Sequence, residues 1–467
     1  MKKTSRIVSL LLIAFLVSAL MKAFVLPAVA QEKGKKASYV LFENVNIFDG
    51  KSDTLHRDMI VLVENNLIST ISKEKLAVIQ STNMTVIDGK GKTLMPGLID
   101  SHVHVSFYPP IASTMRDELD PFFLGIMAAP RAERWLMNGF TTVRDTGGPS
   151  KFVQKAIEAG IIIGPRVFPS EAVISQTRGH GDFRAYNDPH PNMTGGTYHY
   201  MERYLAIIAD GPTEIRRGVR ESLRNGATQI KTFTGGGVTS EFDPLFAIQY
   251  TPEEIRYIVQ AAAQSQTYVM AHSHPDAGIR LAVENGIQCI EHGPFMSEKT
   301  AKLMAKKGVF LVPTTYGVLG TPLEEYEGIL SPASLAKLKG VYEAYPDALR
   351  AAVKHNVKMA FGSDHVGGWQ DQLLRDKDQG KEFLTLVKFM EPVDALKMAT
   401  GNAGELAAMT GPNNPWQEGP LGVIEEGAYA DILLIDGNPL ENIEIMTDPD
   451  NNFRIIMKDG KIYKNTL

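Results

Sequence analysis

Between positions 93 and 362 the chain alternates short apolar runs with stretches of helical spacing, and no other feature constrains its fold as much. Eight runs read as strands: 93–105, 141–145, 166–174, 229–232, 268–272, 288–291, 310–314 and 358–362. Such alternation argues for βα units and a parallel sheet. Thr251-Pro252-Glu253-Glu254 opens one intervening helix, with a capping threonine, proline at the first helical position and glutamate three residues on. Eight strand–helix units predict an α/β fold, a (β/α)8 TIM barrel, with a doubly wound open sheet as the alternative.

The two ends read differently. Tyr39-Val40-Leu41-Phe42, Met59-Ile60-Val61-Leu62-Val63 and Leu67-Ile68-Ser69-Thr70-Ile71 are strand-like, with Asn65-Asn66 as a turn. Ala430-Asp431-Ile432-Leu433-Leu434-Ile435 and Phe453-Arg454-Ile455-Ile456-Met457 match them, with Lys458-Asp459-Gly460-Lys461 as a hairpin turn. Residues 38–94 and 415–467 are therefore expected to form one small β-sandwich-like domain beside a barrel of residues 95–414.

Polar residues close several of the apolar runs. The first ends in His102-Val103-His104, and residues i and i+2 of a strand share a face. Two imidazoles can thus converge, as a metal site needs. The fourth run leads to Ile230-Lys231, the fifth to Ala271-His272, the sixth to Glu291-His292-Gly293 and the eighth to Gly362-Ser363-Asp364. A barrel gathers these strand ends at one mouth, which favours it over the open sheet. Neutral imidazoles suit a borderline metal, and Asp364 can ligate and accept a proton. Lys231 as an ammonium would repel cations; carboxylated by CO2 it offers two oxygens able to bridge two metals. The alternative is a salt-bridged or snorkelling lysine. His274 follows His272 at i+2, so spacing alone does not choose between them.

Lys2, Lys3 and Arg6, the apolar stretch 7–20, and Ala28-Val29-Ala30 before Gln31 read as a signal peptide over residues 1–30. A membrane anchor is the rival, but Lys22 breaks the run well short of a bilayer span. Cleavage would make the protein exported, periplasmic or secreted. Losing Lys2, Lys3, Arg6 and Lys22, with no acidic residue among the first thirty, moves the formal charge from −5 to −9. That argues against a nucleic-acid partner. The only cysteine, Cys289, lies in an apolar run, so no intrachain disulfide forms and buried packing is expected.

Pro96-Gly97-Leu98-Ile99-Asp100-Ser101-His102-Val103-His104, Ile230-Lys231, Ala271-His272, Glu291-His292-Gly293, Gly362-Ser363-Asp364 and Gly427-Ala428-Tyr429-Ala430-Asp431-Ile432-Leu433 together resemble the amidohydrolase superfamily. The resemblance implies two divalent metal ions, zinc by default. His102, His104, Lys231 and Asp364 would hold one, and Lys231, His272 and His292 the other, with Lys231 carboxylated. Within the superfamily the chain looks most like metal-dependent dipeptidases, prolidase-like or imidazolonepropionase-like. The Thr-Gly-Gly-His-Gly-Asp run usual in that branch is similar to Thr177-Arg178-Gly179-His180-Gly181-Asp182 here, with Arg178 in place of the first glycine. His180 takes the position that reaches substrate in relatives.

The expected reaction is metal-dependent hydrolysis of an amide, in dipeptides or N-acyl amino acids with a free carboxylate. His180, Arg178 and Tyr316 are the candidate substrate contacts, each with a plain loop or packing role as its alternative. Cyclic amides or lactones are the alternative substrates, and Asp364 speaks against a non-catalytic binding protein. The polar insertion 183–204 is a candidate lid. Relatives of this branch commonly associate, so a homo-oligomer without a stable membrane anchor is expected.

Overall fold

The computed structural model describes residues 37–76, 83–106, 121–184, 187–194, 204–240, 242–366 and 379–467. The expected signal peptide lies outside them, as do parts of the candidate lid. No helix among the described residues is long and apolar enough to cross a membrane.

The chain opens with β1 (Tyr39–Ile47), β2 (His56–Glu64), β3 (Leu67–Ser72), β4 (Met84–Asp88) and β5 (Thr93–Pro96). β1 pairs with antiparallel β2 along one edge; along the other it takes β4 at Tyr39–Glu43 and β5 at Asn46–Ile47. Two sheets then follow. One runs through β6 (Leu98–His104), β7 (Phe140–Asp145) and β8 (Arg166–Phe168). The other contains β9 (Val173–Ser175), β10 (Ala206–Ile208), β11 (Ile230–Phe233), β12 (Val269–Ser273), β13 (Cys289–His292) and β14 (Phe310–Val312). The short β15 (His365–Val366) pairs with β6. Every pairing in these two sheets is parallel. β7 and β11 to β14 are buried at every position, which fits parallel strands covered by helices.

Helices fall between the strands as the alternation predicts. In Pro252–Gln264 the expected capping box is formed: Glu254 N donates to the Thr251 hydroxyl, and Thr251 N donates to Glu254 Oε2. Such a cap is worth about 1 kcal/mol.

The third expected strand, 166–174, is split into β8 and β9. Pro169 offers no N–H to a ladder, and Glu171 takes φ +55°. The eighth, 358–362, forms no continuous strand. Leu311 N donates to Lys358 O, Ala360 N donates to Leu311 O, and Ser101 N donates to Phe361 O. Phe361 N turns away to Met398 O, which interrupts the ladder. Thr228 N also donates to Pro169 O, joining the two parallel sheets on their other side.

β16 (Ile432–Ile435), β17 (Phe453–Lys458) and β18 (Lys461–Asn465) return to the first sheet, with β16 antiparallel to β5. Both chain ends thus share one eight-stranded sheet and one core of Phe42, Val61, Ile87, Leu434 and Ile455. Arg166 ties it to the parallel strands. Its Nη2 stands 3.3 Å from Asp431 Oδ1 and 2.9 Å from Asp459 Oδ1, with the guanidinium 4.3 Å over the Tyr429 ring.

Candidate metal centre and active site

The site is assembled at the C-terminal ends of β6, β11, β12 and β13. Buried Asp100 aligns the first of these. Its Oδ1 accepts from His102 N at 3.0 Å and from Ser363 N at 3.1 Å. Its Oδ2 accepts from Ser363 Oγ at 2.6 Å and Gln379 Nε2 at 2.8 Å. Asp364 N then donates to His102 O at 2.8 Å. Gly362 allows this close approach, because a Cβ there would lie 2.8 Å from His102 Cβ and 2.3 Å from Val312 Cγ1.

His102, His104 and Asp364 converge. Each imidazole Nε2 lies 3.4 Å from Asp364 Oδ1, and one ligand atom from each of the three falls within 4.8 Å of the others. The His102 ring is 4.9 Å from that of His292, which is 4.5 Å from that of His272. Lys231, paired in register with Met270 between β11 and β12, is buried and acts electrostatically on His102, His272, His292 and Asp364. All six expected metal-site residues therefore share one region.

Burial, with the Lys231 charge beside it, pulls His102 down to about 4. Burial and neighbouring imidazoles hold His272 and His292 well below the usual histidine value. Shifts in this direction favour the neutral ring, the form that ligates. Burial also lowers Lys231 to about 8, which raises the population of its free amine. Burial pushes Asp364 upward, but His102, His104 and His292 outweigh it and keep the carboxyl ionised.

Divalent metal fits these donors. The Nε2 of buried His272 has no hydrogen-bond partner, a costly state for an imidazole nitrogen unless something ligates it. His102 Nδ1 is 2.6 Å from Glu291 Oε2, and His292 Nδ1 is 2.8 Å from Thr314 Oγ1, so each ring keeps its other nitrogen for the site. His274 is also buried with an unpartnered Nδ1, its ring 4.6 Å from that of His272. Geometry brings it into the cluster without choosing between the two.

His180 reaches the same region: its ring stacks on His272 with centroids 4.2 Å apart. Arg178 lies on the surface side, with φ +60° and Nε 3.2 Å from Phe242 O. Arg178, expected in place of a glycine, thus adopts a left-handed backbone, the conformation that favours glycine. Tyr316 is half-buried; its N donates to Glu382 Oε2 at 2.5 Å. Cys289 is buried, and burial pushes its thiol up, so it is unreactive.

Sequence reasoning gave no role to Asp100, Glu291, Arg144 or Asp243. For Glu291 the signal is a charge closing the apolar run Gln288-Cys289-Ile290-Glu291, where burial demands a partner. Arg144 is that partner, with Nη2 2.7 Å from Glu291 Oε1.

The model of the amidohydrolase family matches residues 93–463. The chain belongs to that family. Members generally use divalent metal, and this chain is a hydrolase acting on carbon–nitrogen bonds. It is 34% identical over 403 residues to an ochratoxinase of Aspergillus niger, covering 84% of this chain and 79% of that protein. A crystal structure of an amidohydrolase is 36% identical with a TM-score of 0.82, covering 92% of this chain and all of that one. A prolidase complexed with N-methylphosphonate-L-proline is 34% identical with a TM-score of 0.82 and the same coverage.

Proposed function

We propose that this hydrolase cleaves the amide bond of dipeptides or N-acyl amino acids that carry a free carboxylate. The observation that carries it is the convergence of His102, His104 and Asp364 in a cluster with His292 and His272, the last stacking on the imidazole of His180. A prolidase and an ochratoxinase among its relatives point the same way, and the compound held by the prolidase is an N-substituted amino acid.

In this reading β6, β7, β8/β9, β11 to β14 and residues 358–361 are the eight staves of one closed barrel. The hydrogen bonds from Thr228 to Pro169, and around Leu311 and Ser101, support it. Residues 38–94 and 415–467 form a small β-domain beside a barrel of 95–414, and residues 1–30 direct export. His102, His104, Lys231 and Asp364 would hold one divalent ion, with His272, His292 and carboxylated Lys231 holding a second; zinc suits the set. Such ions supply Lewis acidity and acidify water at neutral pH.

The side chains do the rest. Asp364, ionised at the mouth, takes a proton from the attacking water and hands it to the leaving nitrogen. Glu291 fixes the tautomer of His102. His180, with Arg178 and Tyr316 at the rim, binds the carboxylate and places the scissile carbonyl. The test is amine release from a set of N-acyl amino acids and dipeptides, with and without chelator. Chelator-sensitive release supports the proposal; no release from any member by metal-loaded protein overturns it.

A further inference from the structure

His180 is held from behind by a turn whose described residues, Gly237, Ser240 and Asp243 among them, lie in no helix or strand. Its Nδ1 lies 2.8 Å from Ser240 Oγ and 3.2 Å from Asp243 Oδ2. Its backbone N donates to Gln249 Oε1 at 3.0 Å. Gly237 packs on the ring: a Cβ there would come within 2.0 Å of His180 Cε1. Gly237 N donates to Asp243 Oδ2 at 2.9 Å, so a single carboxylate serves the turn and the imidazole.

What secures the turn comes from about a hundred residues away. Lys337, in the helix Pro332–Lys354, points Nζ at three carbonyl oxygens: Gly237 at 3.1 Å, Ser240 at 2.8 Å and Asp243 at 2.7 Å. An ammonium has three N–H donors, so this geometry uses them all. A half-buried lysine gathering three carbonyls of one turn behaves as a built-in cation, and charge-assisted bonds of this kind are stronger than neutral ones.

We propose that Lys337 is a positioning residue for substrate binding: it fixes the turn whose Ser240 and Asp243 orient His180 against His272. The inference rests on the reading that His180 binds the substrate carboxylate. A ring displaced by an ångström misplaces the substrate without touching the metal ligands.

Lys337→Met keeps the aliphatic stem and removes the three bonds. It should raise KM for free-acid substrates about tenfold, with kcat changed less than about threefold. Metal content should stay at the wild-type level, KM for the matching C-terminal amides should not move, and Lys337→Arg should recover most of the loss. In a His180→Ala background Lys337→Met should add nothing, because both act through one group. Equal losses in both backgrounds, or equal losses on acid and amide, would overturn the proposal. If His180→Ala leaves KM unmoved, the carboxylate role of His180 fails instead. Whether Lys337 orients His180 is then decided by the His180 imidazole signals in histidine-labelled protein, assigned by their loss in His180→Ala. Lys337→Met should shift or broaden them, and unchanged signals would overturn it.

Discussion

Glu291 Oε2 stands 2.6 Å from His102 Nδ1, and both side chains are buried. The same carboxylate receives Arg144 Nη2 at 2.7 Å. Burial alone would raise its pKa; Arg144 and His102 hold it well below the usual range. Glu291 is thus a fixed negative charge that makes Nδ1 the protonated nitrogen of His102 and leaves Nε2 to face Asp364. Glu291→Ala should weaken metal binding about 10–100-fold, the effect typical of removing such a partner. Competition with a chromophoric chelator measures it, and unchanged affinity would contradict the role.

Lys231→Ala should lower the metal content of dialysed protein, because the proposed carbamate donates to both ions. Elemental analysis reads it directly. Wild-type content in the variant would exclude a bridging lysine.

Metal removal should also act on stability. A ligand bound at 100 times its dissociation constant stabilises by about 2.7 kcal/mol, so chelation should lower Tm together with turnover, and added zinc should restore both. Turnover that survives full chelation would contradict the proposed chemistry.

Glu171 gives the stability of the protein a pH response. Burial raises its carboxyl from 4.5 to about 7, with Asp145 adding to the rise. The folded chain therefore holds this proton more tightly than the unfolded one. Its contribution to stability is complete below pH 4.5 and is lost as pH rises through about 7, at most about 3 kcal/mol. Glu171→Gln should shrink the loss of unfolding free energy between pH 5 and pH 8. An unchanged difference would mean that Glu171 titrates normally.

Arg166 joins the parallel strands to the end sheet through buried Asp431. Arg166→Ala strands that carboxylate and should destabilise the protein by about 3–5 kcal/mol, read in urea unfolding. A change below 1 kcal/mol would show that the pair contributes little.

Much of the site was legible in the sequence because strand periodicity is local. His102 and His104 share a face by their spacing, and Lys231, His272, His292 and Asp364 each close an apolar run. What could not be read depends on contacts between distant positions. Glu291 lies 189 residues from His102, and Lys337 reaches its turn from 94 to 100 residues away. The break at Pro169 was visible as a proline, but the positive φ of Glu171 that separates β8 from β9 is not encoded in strand periodicity. The run 358–362 forms only part of a ladder because Phe361 N bonds to Met398 O, a partner that periodicity does not encode.

If this centre hydrolyses amides next to a free carboxylate, its preference for acids over amides should be large. The most direct measurement is kcat/KM of the zinc-loaded protein for each dipeptide or N-acyl amino acid against its own C-terminal amide. Cleavage of the acids should be at least about a hundredfold faster than of the amides, the scale set by leaving a site's polar group unpaired. Equal rates for acid and amide would contradict it.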